Sequence, residues 1–317
     1  MQTRALGSTG LTVGAIGLGC MGMSWGYGEA ERDDTESAAV LNRALDLGVT
    51  LIDTADAYGP FTNEELIGGA LEHRRDDYVL ATKCGLVHDA AAGTFVRDGR
   101  PEHVRAACDA SLMRLRTDVI DLYQLHRVDD RVPLEDTWGA MAELAAAGKV
   151  RNLGMSEVTV DQLERAAGIW PVSSVQSELS LWTRDRLSDV VPWCAENGAA
   201  FIPYAPLGRG FLTGRFSSAD EFAAGDFRTG NPRFTSEAVH ANLAIVERVK
   251  AVATRRETSA ARVALAWILA QGRHIVPIPG TKKLRYLEEN AGAADVELTD
   301  ADLAELDDLP STFGDRY

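Results

Sequence analysis

Short apolar runs, several closing on a polar residue, alternate along almost the whole chain with longer stretches in which apolar positions recur every three or four residues. The runs predict strands at residues 13–19, 50–54, 79–83 and 119–126, and again at 150–156, 173–179, 199–204 and 275–279. Helical spacing covers 35–47, 63–71, 101–115, 133–147, 160–167, 238–254 and 283–290, and Thr299-Asp300-Ala301-Asp302 opens one more helix. Pro101 with Glu102, and Pro133, suit first helical turns; Gly48 and Gly148 stand just past the last apolar position of theirs. Strand–helix units repeated without reversal predict a parallel sheet. Eight of them in this length fit an α/β fold of the closed (β/α)8 TIM-barrel type better than an open sheet. Residues 3–6 and 11–13, joined through Ser8-Thr9-Gly10, read as a short N-terminal β-hairpin. The long connections 85–100, 127–131 and 207–235 follow strands, which puts them at the catalytic face as candidate substrate loops. No Pro/Ser-rich linker or composition break divides the chain, so 1–317 is read as one barrel domain.

Composition narrows the class. Hydrophobic residues at 45% and charged residues at 25% suit a soluble protein with a full core. No apolar run approaches the roughly 18 residues of a membrane span. The start, Met1-Gln2-Thr3-Arg4-Ala5-Leu6-Gly7, lacks a secretory pattern, so a cytoplasmic location is expected. Cys20, Cys84, Cys108 and Cys194 are widely spaced, without a CxxC pair or a histidine at metal spacing. They read as reduced thiols, and no metal site is expected. The net charge of −15 disfavours nucleic acid and anionic membranes as partners.

Gly17-Leu18-Gly19-Cys20-Met21-Gly22 matches GxGxxG straight after a strand, as in a Rossmann dinucleotide site. A helix should begin there to meet a pyrophosphate, yet Met23-Ser24-Trp25-Gly26-Tyr27-Gly28 follows. The next strand-ending acid, Asp53, also lies beyond the usual spacing of about 20 residues. The motif therefore reads as a close-packed barrel loop.

The chemistry lies at strand ends. Asp53 closes Leu51-Ile52-Asp53, Lys83 closes Leu80-Ala81-Thr82-Lys83, His126 closes Leu122-Tyr123-Gln124-Leu125-His126, and Tyr58 follows Asp53 in the next loop. Ends of neighbouring barrel strands converge on one face, so these side chains should meet. A tyrosine is a poor acid at neutral pH unless its phenolate is stabilised; a lysine cation does that, and an aspartate holds the lysine charged. Tyr58 could then protonate an oxygen becoming alkoxide, and His126 could hydrogen-bond and polarise the same carbonyl.

With these motifs in place the chain resembles the aldo-keto reductases over nearly its full length. The resemblance is carried by Gly17-Leu18-Gly19, Asp53-Thr54-Ala55-Asp56-Ala57-Tyr58-Gly59, Thr82-Lys83, Leu125-His126 and Gly154-Met155-Ser156. It continues through Val175-Gln176-Ser177-Glu178, Pro203-Tyr204-Ala205-Pro206-Leu207-Gly208, Ile278-Pro279-Gly280-Thr281-Lys282 and Glu288-Glu289-Asn290. Gly-Leu-Gly-Cys-Met-Gly, Leu-Trp-Thr-Arg (181–184) and Leu-Gly-Arg-Gly-Phe-Leu (207–212) look most like the bacterial and plant branch that reduces assorted aldehydes.

The resemblance implies a catalytic tetrad of Asp53, Tyr58, Lys83 and His126, with Tyr58 as general acid, and an NADPH (NADP+) cofactor across the barrel mouth. Gly19, Cys20 and Met21 would line the reactive end. Ser156 and Gln176 match positions that bind the nicotinamide carboxamide, and Tyr204 the aromatic that stacks on the ring. Pro206, Leu207, Gly208 and Gly210 would follow the pyrophosphate. Thr281 and Lys282 would hold the adenosine 2′-phosphate, Glu289 and Asn290 the adenine end, and Asp53 and Gly280 would also contact the cofactor. Trp25, Tyr58 and His126 would form the substrate pocket, with Tyr27 and Trp182 as further candidates. Two positions depart from the common pattern: Glu157 stands where many members have Asn, and Tyr286 where many have Arg. Lys282, Lys283 and Arg285 still supply local positive charge, so NADPH is expected over NADH. The substrate implied is a small aldehyde or ketone. One alternative is a catalytically weak cofactor-binding sensor or regulatory subunit on the same barrel. A lyase using Lys83 as a Schiff base is disfavoured, because Asp53 beside it would raise the lysine pKa.

Overall fold

The computed structural model describes residues 1–28, 31–89, 92–222 and 226–316, with Asp220 described by its backbone alone. The N-terminal hairpin pairs β1 (Thr3–Ala5) with β2 (Thr12–Gly14), antiparallel, Arg4 opposite Val13. The barrel strands are β3 (Leu18–Gly19), β4 (Leu51–Asp53), β5 (Val79–Cys84), β8 (Ile120–Leu125), β9 (Val150–Ser156), β10 (Ser174–Glu178) and β11 (Ala200–Tyr204). They run parallel in the order β3-β4-β5-β8-β9-β10-β11. A second hairpin, β6 (Leu86–Asp89) with β7 (Thr94–Arg97), rises from the end of β5.

The helices are α1 (Asp34–Asp46), α2 (Thr62–Leu71), α3 (Pro101–Leu115), α4 (Leu134–Ala146), α5 (Val160–Ala167), α6 (Val190–Asn197), α7 (Ser236–Arg255), α8 (Ala260–Ala270), α9 (Leu284–Ala291) and α10 (Asp300–Asp307). Local chemistry sets several boundaries. Thr159 with Gln162, and Thr299 with Asp302, form capping boxes that satisfy orphan N–H groups at the starts of α5 and α10. Gly48 and Gly148 take positive φ just beyond α1 and α4, as a helix stop requires.

Two expected strands need correction. Residues 13–19 are not one strand: Ala15 and Ile16 leave the hairpin to pack on Leu265 of α8 and on Ala293, and only Leu18–Gly19 rejoins the sheet. Residues 275–279 do not form a regular ladder strand, because Pro277 and Pro279 carry no N–H. They close the barrel all the same. The N–H groups of Val276 and Ile278 donate to Phe201 and Pro203 of β11 at 2.9 and 3.0 Å. On the opposite edge the carbonyls of Pro277 and Pro279 accept from Gly17 and Gly19 at 2.9 and 3.4 Å. The eight-fold barrel is complete, with a sparsely bonded seam between β3 and 275–280. The seam also explains the glycine motif: a Cβ on Gly19 would sit 2.8 Å from the carbonyl oxygen of Ile278. Those glycines serve close packing.

The hairpin plugs the floor of the barrel. Leu6 and Val13 pack with the inward-facing Leu51, Val79, Leu122, Ile202 and Val276. Arg4 locks it from outside, donating to the carbonyls of Leu269, Gly272 and Ile275 at 2.6–2.9 Å. Among the described residues no helix is long and apolar enough to cross a membrane.

Candidate active site

Side chains in a strand alternate between faces, so each barrel strand sends one column inward. In β4 the column is Leu51 then Asp53; in β5, Val79, Ala81 and Lys83; in β8, Leu122 and Gln124, followed by His126. The lower members belong to the apolar plug and the upper ones form a polar layer at the mouth. Period-2 alternation on neighbouring strands therefore turns separate sequence motifs into one site.

Lys83 is fully buried. Its Nζ donates to Asp53 Oδ1 at 2.6 Å, to the carbonyl of Thr54 at 2.6 Å and to the Tyr58 hydroxyl at 3.3 Å. The second oxygen of Asp53 accepts from Gln176 Nε2 at 2.8 Å and Gln124 Nε2 at 3.3 Å, so the buried carboxylate is satisfied on both sides. The His126 ring stands edge-on to Tyr58, centroids 5.7 Å apart at 85°. Burial pushes the lysine toward the neutral form, but Asp53 and Tyr58 outweigh it and hold the ammonium above its ordinary value. Burial, reinforced by the Lys83 and Arg127 charges, drives His126 well below the usual imidazole range, so the ring is neutral at pH 7. Burial raises the Tyr58 phenol, and Lys83 pulls it down only in part. The expectation that Lys83 brings this pKa below normal is thus corrected: its effect has the expected sign but desolvation is larger. The Tyr58 phenol is protonated at neutral pH.

A cleft of about 1020 Å³ opens over this layer and runs across the seam. Of the expected positions, Tyr58, His126, Asp53 and Ser156 line the cleft, as do Gly19, Met21 and Tyr204, and Pro206, Leu207 and Gly210. Gly280, Thr281 and Lys282 follow, then Glu289 and Asn290 of α9. Trp25 and Tyr27 belong to the wall, Trp25 against Phe95 of β7 at 5.1 Å and Tyr27 against Phe227 at 6.4 Å. Positions 90–91 and 223–225 of the expected substrate loops lie outside the described residues.

Four of the positions expected to touch cofactor or substrate do not line the cleft. Cys20 is fully buried, and burial raises its thiol; all four cysteines are free and buried, with Cys108 and Cys194 pushed up to about 12. Gln176 is buried and spends its amide N–H on Asp53, which makes it a support of the tetrad. Gly208 is buried beneath Trp182, whose ring a Cβ there would meet at 2.6 Å. Trp182 itself is core, stacked on Phe211 at 4.9 Å, and not a pocket wall. Lys283, expected among the free cations, pairs with Glu36 at 2.6 Å. Arg215, Arg228 and Arg285 line that end of the cleft beside Lys282.

Three contributors escaped the sequence reading. Gln124 was detectable, since it shares the inward column of His126 two residues on. Arg127, next to His126, donates to the His126 carbonyl at 2.6 Å and to Ser156 Oγ at 3.0 Å. Arg316 comes from the irregular C-terminal segment, where no periodicity signals a role. It joins three strand ends, donating to Glu157 at 2.5 Å, Glu178 at 2.8 Å and the Tyr204 hydroxyl at 2.6 Å. Glu157, the departure from the common pattern, thus anchors this arginine.

The sequence profile described as "Aldo/keto reductase family" matches residues 15–310. An NADP(+) aldo-keto reductase of Schizosaccharomyces pombe is 42% identical, covering 100% of this chain and 94% of its own. The glycerol dehydrogenase AKR11B4 from Gluconobacter oxydans superposes with a TM-score of 0.86 at 29% identity, over 96% of this chain and 94% of that one. An aldo/keto reductase from Klebsiella pneumoniae, solved with NADP and acetate, gives 0.76 at 27% identity over 100% of both chains.

Proposed function

The chain belongs to the aldo/keto reductase family and is an NADP-dependent oxidoreductase, and from that premise we propose that it reduces small aldehydes and ketones with Tyr58 as proton donor. The observation that carries the reading is the Asp53–Lys83–Tyr58 chain of contacts with neutral His126 edge-on to the phenol.

The cleft suits a dinucleotide. It offers glycine backbone at Gly19, Gly210 and Gly280, a planar ring at Tyr204, and cations at Lys282, Arg215 and Arg285 for a phosphate. NADPH, when bound, supplies the hydride that converts a carbonyl into an alkoxide. The protein's part is the proton and its placement. His126, neutral, hydrogen-bonds the carbonyl oxygen and sets its distance from Tyr58. The Tyr58 phenol gives its proton to that oxygen, and the phenolate left behind faces the Lys83 ammonium, which Asp53 holds in place. Ser156 is assigned to the carboxamide. Arg316 holds the Tyr204 hydroxyl, which orients the ring that the nicotinamide would stack against.

The test is NADPH oxidation followed by its absorbance with a panel of aldehydes such as 4-nitrobenzaldehyde. Saturable, aldehyde-dependent consumption is expected; its absence across the panel rejects the reading. The pH profile follows from the signs above. A phenol held above its ordinary value stays protonated through the neutral range, and a histidine held well below its own does not charge there. Hence kcat/KM should be flat near pH 7 and fall only above about pH 10. An inflection near pH 6.5 that vanishes in His126→Gln would contradict the neutral-imidazole assignment.

Lys282 donates to the carbonyls of Tyr27 and Gly28 at 2.9 and 2.8 Å, which holds its ammonium at the phosphate end of the cleft. Lys282→Ala is expected to raise the NADPH Kd about tenfold, by loss of one charge-assisted contact, with NADH binding almost unmoved. Fluorescence titration with both nucleotides checks it, and equal weakening of both removes the 2′-phosphate role.

A further inference from the structure

We propose that Arg127 is a carboxylate subsite, so that the preferred substrates are carbonyl compounds that themselves carry an acid group; this rests on the reductase reading above. Arg127 lines the cleft with Tyr58 and His126. One nitrogen, Nη1, is committed to the His126 carbonyl and Ser156 Oγ. Among the described residues Nε and Nη2 have no hydrogen-bond partner, and no carboxylate lies within 4.0 Å of the guanidinium.

The neighbouring arginines of the mouth each touch a carboxylate: Arg316 touches Glu157 and Glu178, Arg209 and Arg233 share Glu178, and Arg228 pairs with Asp226. Glu157 feels the Arg127 charge but is held by Arg316. Asp53 and Lys83 cancel each other as a buried pair. Among the described residues Arg127 is the cation at the reaction end of the cleft that pairs with no carboxylate, in a chain of net charge −15. A half-buried guanidinium with an open edge is a carboxylate receptor, because its planar donors match the two oxygens in a bidentate pair. Its Nη1 bonds hold it in one orientation, so little freedom is lost on binding. The rest of the wall, Trp25, Leu86 and Phe95, is apolar and aromatic, which fits a carbon skeleton joining carbonyl to acid.

The experiment compares 4-carboxybenzaldehyde with its neutral methyl ester, methyl 4-formylbenzoate, at saturating NADPH, in wild type, Arg127→Met and Arg127→Lys. NADPH affinity is measured for each by fluorescence. Wild type should favour the acid, and Arg127→Met should lower the acid-to-ester ratio of kcat/KM by about 10- to 100-fold, mainly through the KM of the acid. Arg127→Lys keeps the charge without the fork and should recover part of the ratio. Benzoate should inhibit wild type competitively against the aldehyde and lose potency in Arg127→Met. An unchanged ratio overturns the proposal. So does equal loss on both aldehydes with weakened NADPH binding, which would make Arg127 a cofactor contact. Turnover of both aldehydes without discrimination overturns the subsite alone, whereas no NADPH oxidation with either overturns the reductase reading as well.

Discussion

Tyr58→Phe is expected to lower kcat for aldehyde reduction by about a thousandfold while the NADPH Kd moves less than about twofold. The substitution removes one hydroxyl. Packing around the ring is kept, including the edge contact with His126 and the Lys83 Nζ 5.0 Å from the ring centroid. What disappears is the one proton donor joined to the buried cation at 3.3 Å. His126 cannot replace it at neutral pH without losing the hydrogen bond that positions the carbonyl. Single-turnover measurements with NADPH pre-bound separate chemistry from product release, and a variant keeping more than about a tenth of the rate would exclude Tyr58 as the acid.

The second large effect concerns stability. Asp53→Ala removes the carboxylate paired to a lysine with no solvent contact, and takes the acceptor from both Gln124 and Gln176. Breaking a buried pair on one side leaves an uncompensated charge, at a cost of about 3–5 kcal/mol. Urea unfolding at pH 7, without nucleotide, should show that loss. Asp53→Asn, which keeps an acceptor and the volume, should lose less. The double variant Asp53→Ala, Lys83→Met should recover part of the loss, because the stranded ammonium is gone. A single-variant loss below about 1 kcal/mol would mean that Thr54 and Tyr58 suffice to hold the lysine.

What the sequence revealed follows from which interactions are periodic. The meeting of Asp53, Tyr58, Lys83 and His126 was legible because three of them stand at the ends of apolar strands, and strand ends in a parallel barrel share a face. Helices α3 and α5 have the bounds expected of them, since Pro101 and the Thr159 cap are local signals. Helix α8 was not singled out: Ala260–Ala270 is buried along most of its length and carries a single polar residue, Arg262, so few polar positions outline its face. The β6–β7 hairpin stayed a loop for the opposite reason, as its residues are half-buried or exposed and no single face is apolar. Gln176 shows a different limit. Motif position allowed a nicotinamide contact, but its amide is already drawn down to Asp53. Arg316 shows the last, since a segment without regular structure gives no sign of which strand ends it reaches.

The proline-bearing seam has a consequence for how the barrel breathes. Between β3 and 275–280 the described backbone bonds are those of the Gly17 and Gly19 N–H groups and the single bridge Gly19–Gly280, whereas the β5–β8 and β8–β9 pairs have fuller ladders. Local opening costs least where backbone bonds are fewest, so amide hydrogen exchange should be fastest along this edge of the sheet. Gly19 and Met21 lie on one lip of it and Gly280, Thr281 and Lys282 on the other. Under the proposed function a dinucleotide spans both lips and acts as the missing rung, stabilising the fold by about 2.7 kcal/mol at a hundred times its Kd. On that reading the empty barrel should open first along the line its nucleotide fastens.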